Sequence, residues 1–222
     1  MGGELPLAWI ATYGAALLNG VATTIALIAA TTLLGSVGSV MGAAARRSGS
    51  AWCRALAAGY VELIRNTPFI AQLFFVFFGL PSLGVRLNAT AAAVLAMTIN
   101  VSAYGTEIVR AGLDSVPLGH REAGMALGLR PPLVFLKIVL PQALRAVFPA
   151  FASQIVITML ESAVVSQIAV RDLTYEADLI QSRTFRAFET YLLVTAIYLG
   201  LSILLRRALG VAARPLLAPG AG

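Results

Sequence analysis

One cysteine, Cys53, and one histidine, His120, stand in 222 residues. A disulfide framework needs paired cysteines and a zinc site needs several Cys or His ligands, so both are excluded. Charge is scarce too. Asp, Glu, Lys and Arg make up 12% of the chain, about half the roughly 25% of an ordinary soluble domain. No Gly-x-x-x-x-Gly-Lys-Ser/Thr loop occurs, so the chain has no phosphate cradle of that kind. Glu4 is the only charged side chain ahead of Arg46, and a secretory signal would need basic residues before its apolar stretch. What is there instead is oil: 59% hydrophobic residues and a mean hydropathy of +0.85. Intrinsic disorder is incompatible with that. The composition is that of an integral membrane protein.

A hydrocarbon core about 30 Å thick needs about 20 largely uncharged residues per helix. The charge-poor runs predict an all-α, polytopic chain of about five spans, near residues 17–41, 64–84, 88–109, 146–168 and 190–208. Residues 126–148 are also apolar, which leaves the count open by one. Basic residues collect on the cytoplasmic side. With the N-terminus outside, twelve of the 16 Lys and Arg lie inside and four, Arg86, Arg171, Arg183 and Arg186, outside. The expectation is therefore N-out and C-in, with the net charge of +6 anchoring the inner leaflet rather than binding nucleic acid. Two long connections stand out: a cytoplasmic loop at 113–145 and an outer loop at 171–189, the latter read as a short, partly helical cap. The tail from Arg214, with Pro215 and Pro219, is expected to fray.

The cytoplasmic loop is the most informative segment. Pro117 suits a helix start, Gly128 suits a left-handed helix end, and Pro131-Pro132 stops one helix and can start another. The spacing predicts two short helices joined by a tight turn. Helices this short are not stable alone in water, so the hairpin has to pack on its own bundle or on a second protein.

Glu122-Ala123-Gly124, then Gly128, then Ile138-Val139-Leu140-Pro141 resembles the EAA signature of ABC-importer membrane subunits, with Gly124 replacing the second alanine. Flanking strings narrow the resemblance to polar amino-acid permeases of the histidine/glutamine/arginine type. They are Asn100 to Pro117, Glu62-Leu-Ile-Arg65-Asn-Thr67-Pro68, and Ser182 to Glu189. The resemblance implies a multi-pass subunit of a bacterial inner membrane, forming half of a pore with an identical or homologous permease. It implies a separate cytoplasmic ATPase that binds ATP and Mg, an extracytoplasmic solute-binding protein, and no cofactor in this chain. It also implies that Glu122, Ala123, Gly124, Gly128, Ile138, Leu140 and Pro141 form the coupling surface, with small residues admitting the ATPase closely.

Four polar residues in apolar spans are candidates for the translocation path. Glu161 lies well along the fourth span, where a charge needs a partner or a wet cavity. It either recognises a substrate cation, as the resemblance implies, or pairs with an outer arginine such as Arg171. Asn100 and Gln72 either bind substrate or join helices by hydrogen bonding. Thr67, before Pro68, marks a hinge or a simple kink. Glu107 and Arg110, three apart, suit a local ion pair. Gly35 with Ser39 and Gly38 with Gly42 are small pairs that let helices approach.

Two other classes remain to be weighed. A membrane-embedded lipid-modifying enzyme would want clustered acid groups, and only Asp172, Glu176 and Asp178 qualify, without a histidine. An ATP-independent transporter or channel is usually longer or internally repeated. Neither accounts for the signature at 117–145.

Overall fold

The computed structural model describes residues 8–217. Glu4 and the last five residues of the tail lie outside them. Among the described residues there is no β-strand. Eight helices follow one another: α1 (Ala8–Arg46), α2 (Ala51–Arg65), α3 (Phe69–Ser82), α4 (Ala89–Asp114), α5 (Leu118–Ala126), α6 (Pro131–Ile168), α7 (Leu173–Thr184) and α8 (Ala187–Leu217). Four of these, α1, α4, α6 and α8, are long and apolar enough to cross a membrane, and α2 with α3 makes a fifth if the bent pair is one span.

The centre of the bundle is α1 against α4. Their contact runs along small residues. A Cβ on Gly35 would lie 2.6 Å from Val101 Cγ1, and one on Gly38, Gly42 or Gly105 would collide with Ser102, Thr106 or Ser39. Lipid offers no hydrophobic drive for helix association, so close backbone contact and buried hydroxyls do the work. Across the seam Ser39 Oγ donates to the Val101 carbonyl at 3.4 Å and Ser102 Oγ to the Gly35 carbonyl at 3.5 Å. The small-residue pairs read from the sequence are this seam.

Three expectations about the elements need correcting. The span placed at 64–84 is not one straight helix: α2 and α3 meet at 109° across Asn66–Pro68. Pro68 has no N–H to give and disfavours helical geometry at the residue before it. The second helix of the hairpin at 113–145 is not short. It is the start of α6, which passes through a wide π-turn at Phe135–Val139 just before Pro141, where the helical ladder lacks a donor. The connection at 171–189 is more ordered than the expected partial cap. Leu173–Thr184 is a 12-residue helix capped by Asp172, whose Oδ1 accepts from the Tyr175 N–H at 2.9 Å. At the far end α8 continues through Pro215 to Leu217.

Candidate functional site

The hairpin at 113–145 is built from within. α5 ends in a Schellman turn: the Gly128 N–H bonds the Met125 carbonyl at 2.9 Å and the Leu129 N–H bonds the Gly124 carbonyl at 3.2 Å. Gly128 sits at φ +78° with open space around it, so its role is conformation, as its position suggested. Gly124 differs. A Cβ there would meet Ile138 Cδ1 at 2.6 Å and Val134 Cγ2 at 3.1 Å. Its smallness therefore admits α6 of the same chain rather than an ATPase, a correction to the expected coupling surface. Val116, Val134, Val139 and Ala143 form a small core beneath the hairpin, with Ile138 and Leu129 packed on it. His120 Nδ1 and Gln142 Oε1, 2.7 Å apart, tie α5 to α6. Leu140 and Pro141 are half-buried in α6.

The outward side of the same hairpin is bare. Leu118 is 71% exposed and Leu127 81%; Glu122, Ala123, Met125 and Ala126 are exposed beside them. A nine-residue helix held by its own satellite core thus presents an apolar tip with a carboxylate, and nothing among the described residues covers it.

Thr67, Gln72 and Asn100 are brought together at the α2–α3 elbow. Gln72 Nε2 donates to the carbonyls of Ile64 and Thr67 at 2.8 and 3.0 Å, and contacts Thr67 Oγ1 at 2.9 Å. These are carbonyls that the break strips of their helical partners. Asn100 Nδ2 donates to Gln72 Oε1 at 3.0 Å, pinning the elbow to α4. Of the two roles open to these amides, the geometry is that of helix joining. Within this cluster Asn100 Oδ1 is buried without a hydrogen-bond partner among the described residues.

Glu161 stands apart from that cluster. It is the last residue before α6 tightens into a 3₁₀ turn at Ser162–Ile168, is half-buried, and makes no hydrogen bond or ion pair among the described residues. The pairing with Arg171 does not form: Arg171 Nε bonds Glu176 Oε1 at 2.9 Å. Seven residues before Glu161, on the same face two turns away, is Gln154. It lines a groove of about 460 Å³ between α2, α4 and α6, with Arg65, Tyr104, Glu107 and Ser115. Glu107 is held by Arg110 at 2.7 Å, the expected local pair, and by Arg46 at 3.4 Å. Charged and amide groups inside spans belong on a wet or protein-lined face, so this groove and Glu161 mark one polar wall of the bundle.

A second buried polar cluster was missed in the sequence. Asp172, fully buried, receives a bond from Tyr198 Oη at 3.3 Å as well as its cap, and Thr24 Oγ1 accepts from the Leu173 N–H at 3.3 Å. Burial is the largest effect on Asp172 and raises its pKa to about 6 despite those donors. The only signal was Asp172 standing before an apolar-spaced run, an N-cap pattern.

Residues 35–216 match the family described as the binding-protein-dependent transport system inner membrane component. The chain belongs to that family. It is 39% identical over 148 residues to a probable glutamine ABC transporter permease of Bacillus subtilis, covering 67% of this chain and 68% of that one. It is 33% identical over 201 residues to a nopaline transport system permease of Agrobacterium fabrum, covering 86% and 83%. The solved structure titled as an amino acid ABC transporter with histidines superposes with a TM-score of 0.87 at 32% identity, covering 96% of this chain and 99% of that one. The chain is thus a permease of the inner membrane and not an enzyme; ATP hydrolysis lies in a partner subunit. The lipid-modifying enzyme and the ATP-independent channel fall away with that membership.

Proposed function

We propose that the chain is one half of the pore of an ATP-driven importer of polar amino acids. Relatives named for glutamine and nopaline transport support the substrate class, and Glu161, unpaired on the polar wall, favours a cationic side chain. The N-terminus faces outward, so that α5 lies in the cytoplasm and α7 outside. A second permease, identical or homologous, completes the pore, and an extracytoplasmic solute-binding protein delivers the substrate. The bare tip of α5, with Leu118, Glu122, Ala123, Met125 and Leu127, docks the ATPase, which supplies ATP and Mg. Because Val134, Ile138 and Val139 tie α5 to α6, a pull on the tip moves the helix that carries Gln154 and Glu161.

The exposed apolar tip on a rigid stem carries this reading. Co-expression with the ATPase tests it. The permease is expected to co-purify with the ATPase, and Leu127→Asp to cut recovery of the ATPase at least fivefold while the permease itself stays folded. Undiminished recovery would place the docking surface elsewhere.

A further inference from the structure

α1 and α8 both pack on α6, but they form no seam with each other. Between them runs a groove of about 480 Å³, bounded by Thr24 to Ser36 on α1, by Leu201 to Leu209 on α8 and by Ile155 and Met159 on α6. Its walls are almost wholly hydrocarbon. The hydroxyls at its two ends are engaged elsewhere: Thr24 Oγ1 accepts the Leu173 N–H at 3.3 Å, and Ser36 Oγ donates to the Thr32 carbonyl at 2.6 Å. A charged amino acid would lose its hydration there without replacement. α7 packs on both α1 and α8, and Leu173 at its start crosses the end of the groove at Thr24. The opposite end is basic. Arg206 and Arg207 stand on α8 between Leu205 and Ala208, two residues that line the groove. Both arginines are exposed, and neither forms an ion pair among the described residues. α1 carries no acid, α6 none before Glu161 and α8 none after Glu189.

We propose that this groove holds one acyl chain of an anionic phospholipid, with Arg206 and Arg207 on its head group. Lengths and charge agree. By helical rise Arg206 stands about 28 Å from Ala187, close to the roughly 30 Å of a hydrocarbon core, so the two guanidiniums reach head-group level. The groove follows α1 for about 18 Å, against the roughly 15 Å that the chains of one leaflet fill. Arginine stems lie along apolar surface and carry their charge to the interface, where a guanidinium bonds a phosphate through paired N–H groups. Basic side chains at that level favour lipids of net negative charge, which supply the anion that these three helices lack there. The site needs only membrane insertion; neither the transported solute nor the direction of the N-terminus enters into it.

Lipid retention provides the test. The permease, in the complex with which it purifies, is stripped of lipid in detergent and titrated with dioleoyl phosphatidylglycerol or dioleoyl phosphatidylcholine. Native mass spectrometry counts the lipids kept per permease chain. One phosphatidylglycerol per chain should be held at a concentration at least fivefold lower than phosphatidylcholine requires. Arg206→Gln with Arg207→Gln, both at exposed positions, should reduce that preference below twofold. Ala29→Phe, which fills the groove from α1, should lower occupancy by either lipid at least fivefold. Ala208→Phe on the opposite wall gives the same reading if Ala29→Phe fails to fold. A wild type without the preference, a double arginine variant that keeps it, or a filled groove that binds as before would each overturn the site. A second copy of the chain is the competing occupant. Leu33, 69% exposed, lines the groove, and Leu33→Cys on a Cys53→Ser background should stay monomeric on oxidation in membranes. A disulfide-linked pair of permeases would mean that protein, not lipid, covers this face.

Discussion

Asp172 and Glu161 are both carboxylates removed from bulk water, yet their surroundings assign them different work. Asp172 is enclosed by the Tyr175 and Thr174 N–H groups and the Tyr198 phenol, and its proton is a matter of stability. An ordinary aspartate titrates near 3.9. With the folded value raised to about 6, the folded state binds the proton more tightly than the unfolded chain. Stability is then greatest below about pH 4 and is lost as pH rises through about 6, by up to about 3 kcal/mol. Asn caps a helix as well as Asp, so Asp172→Asn should remove this slope without removing the cap. Thermal unfolding in detergent from pH 4 to 8 should show the wild-type midpoint falling across that window relative to the variant. Parallel curves would refute the assignment. Glu161 has no such enclosure, and its change should appear in selectivity. Glu161→Gln is expected to lower uptake of L-arginine about tenfold and of L-glutamine by less than twofold; equal loss of both would refute a charge-recognition role.

At the scale of elements, the hairpin separates two glycines that look alike in the sequence. Gly128→Val puts a β-branched residue at φ +78°, a conformation in which it is a genuine outlier. Gly124→Val drives a side chain into Ile138 and Val134, an overpacking that costs about 1–3 kcal/mol. Both should lower uptake per ATP hydrolysed, because both loosen α5 from α6. The second-site change Ile138→Ala should rescue Gly124→Val and leave Gly128→Val impaired. Coupling ratios in proteoliposomes read this directly, and equal rescue of the two would mean that the glycines do not act as their geometry says. Helical spacing and proline placement made the hairpin, its turn and the close α1–α4 seam legible beforehand. They did not show that Gly124 faces inward, because Val134 and Ile138 belong to a stretch whose wide turn hides its continuity with the fourth span. The elbow was half legible. Thr67-Pro68 marked a break, but only the fold shows that Gln72 and Asn100, 28 positions apart, close it. The Arg171–Glu176 pair is also invisible to i,i+4 reasoning, since it is made from before the cap, five residues away.

For the whole molecule, the central question is how an oily bundle keeps its charges in water or in pairs. α3 is about 21 Å long by helical rise, short of the roughly 30 Å core, and the 109° bend turns α2 away from its axis. That elbow brings Arg65 down onto α4 and the groove. The C-terminal ends of α1 and α4 are joined by Arg46 with Glu107 and Arg47 with Asp114, and Arg110 pairs with both acids within α4. This neutralises acids where the positive-inside bias puts the basic residues. The proposed orientation puts α5 and α7 on opposite sides of the membrane, one to meet a motor and one to meet a delivering protein. Single cysteines test it on a Cys53→Ser background. Ser182→Cys in α7 and Gly119→Cys in α5 both occupy exposed positions. A membrane-impermeant maleimide on intact cells should label Ser182→Cys, and Gly119→Cys only after the membrane is opened. The reverse pattern would invert the bundle. The apolar tip of α5 would then face outside, away from any ATPase.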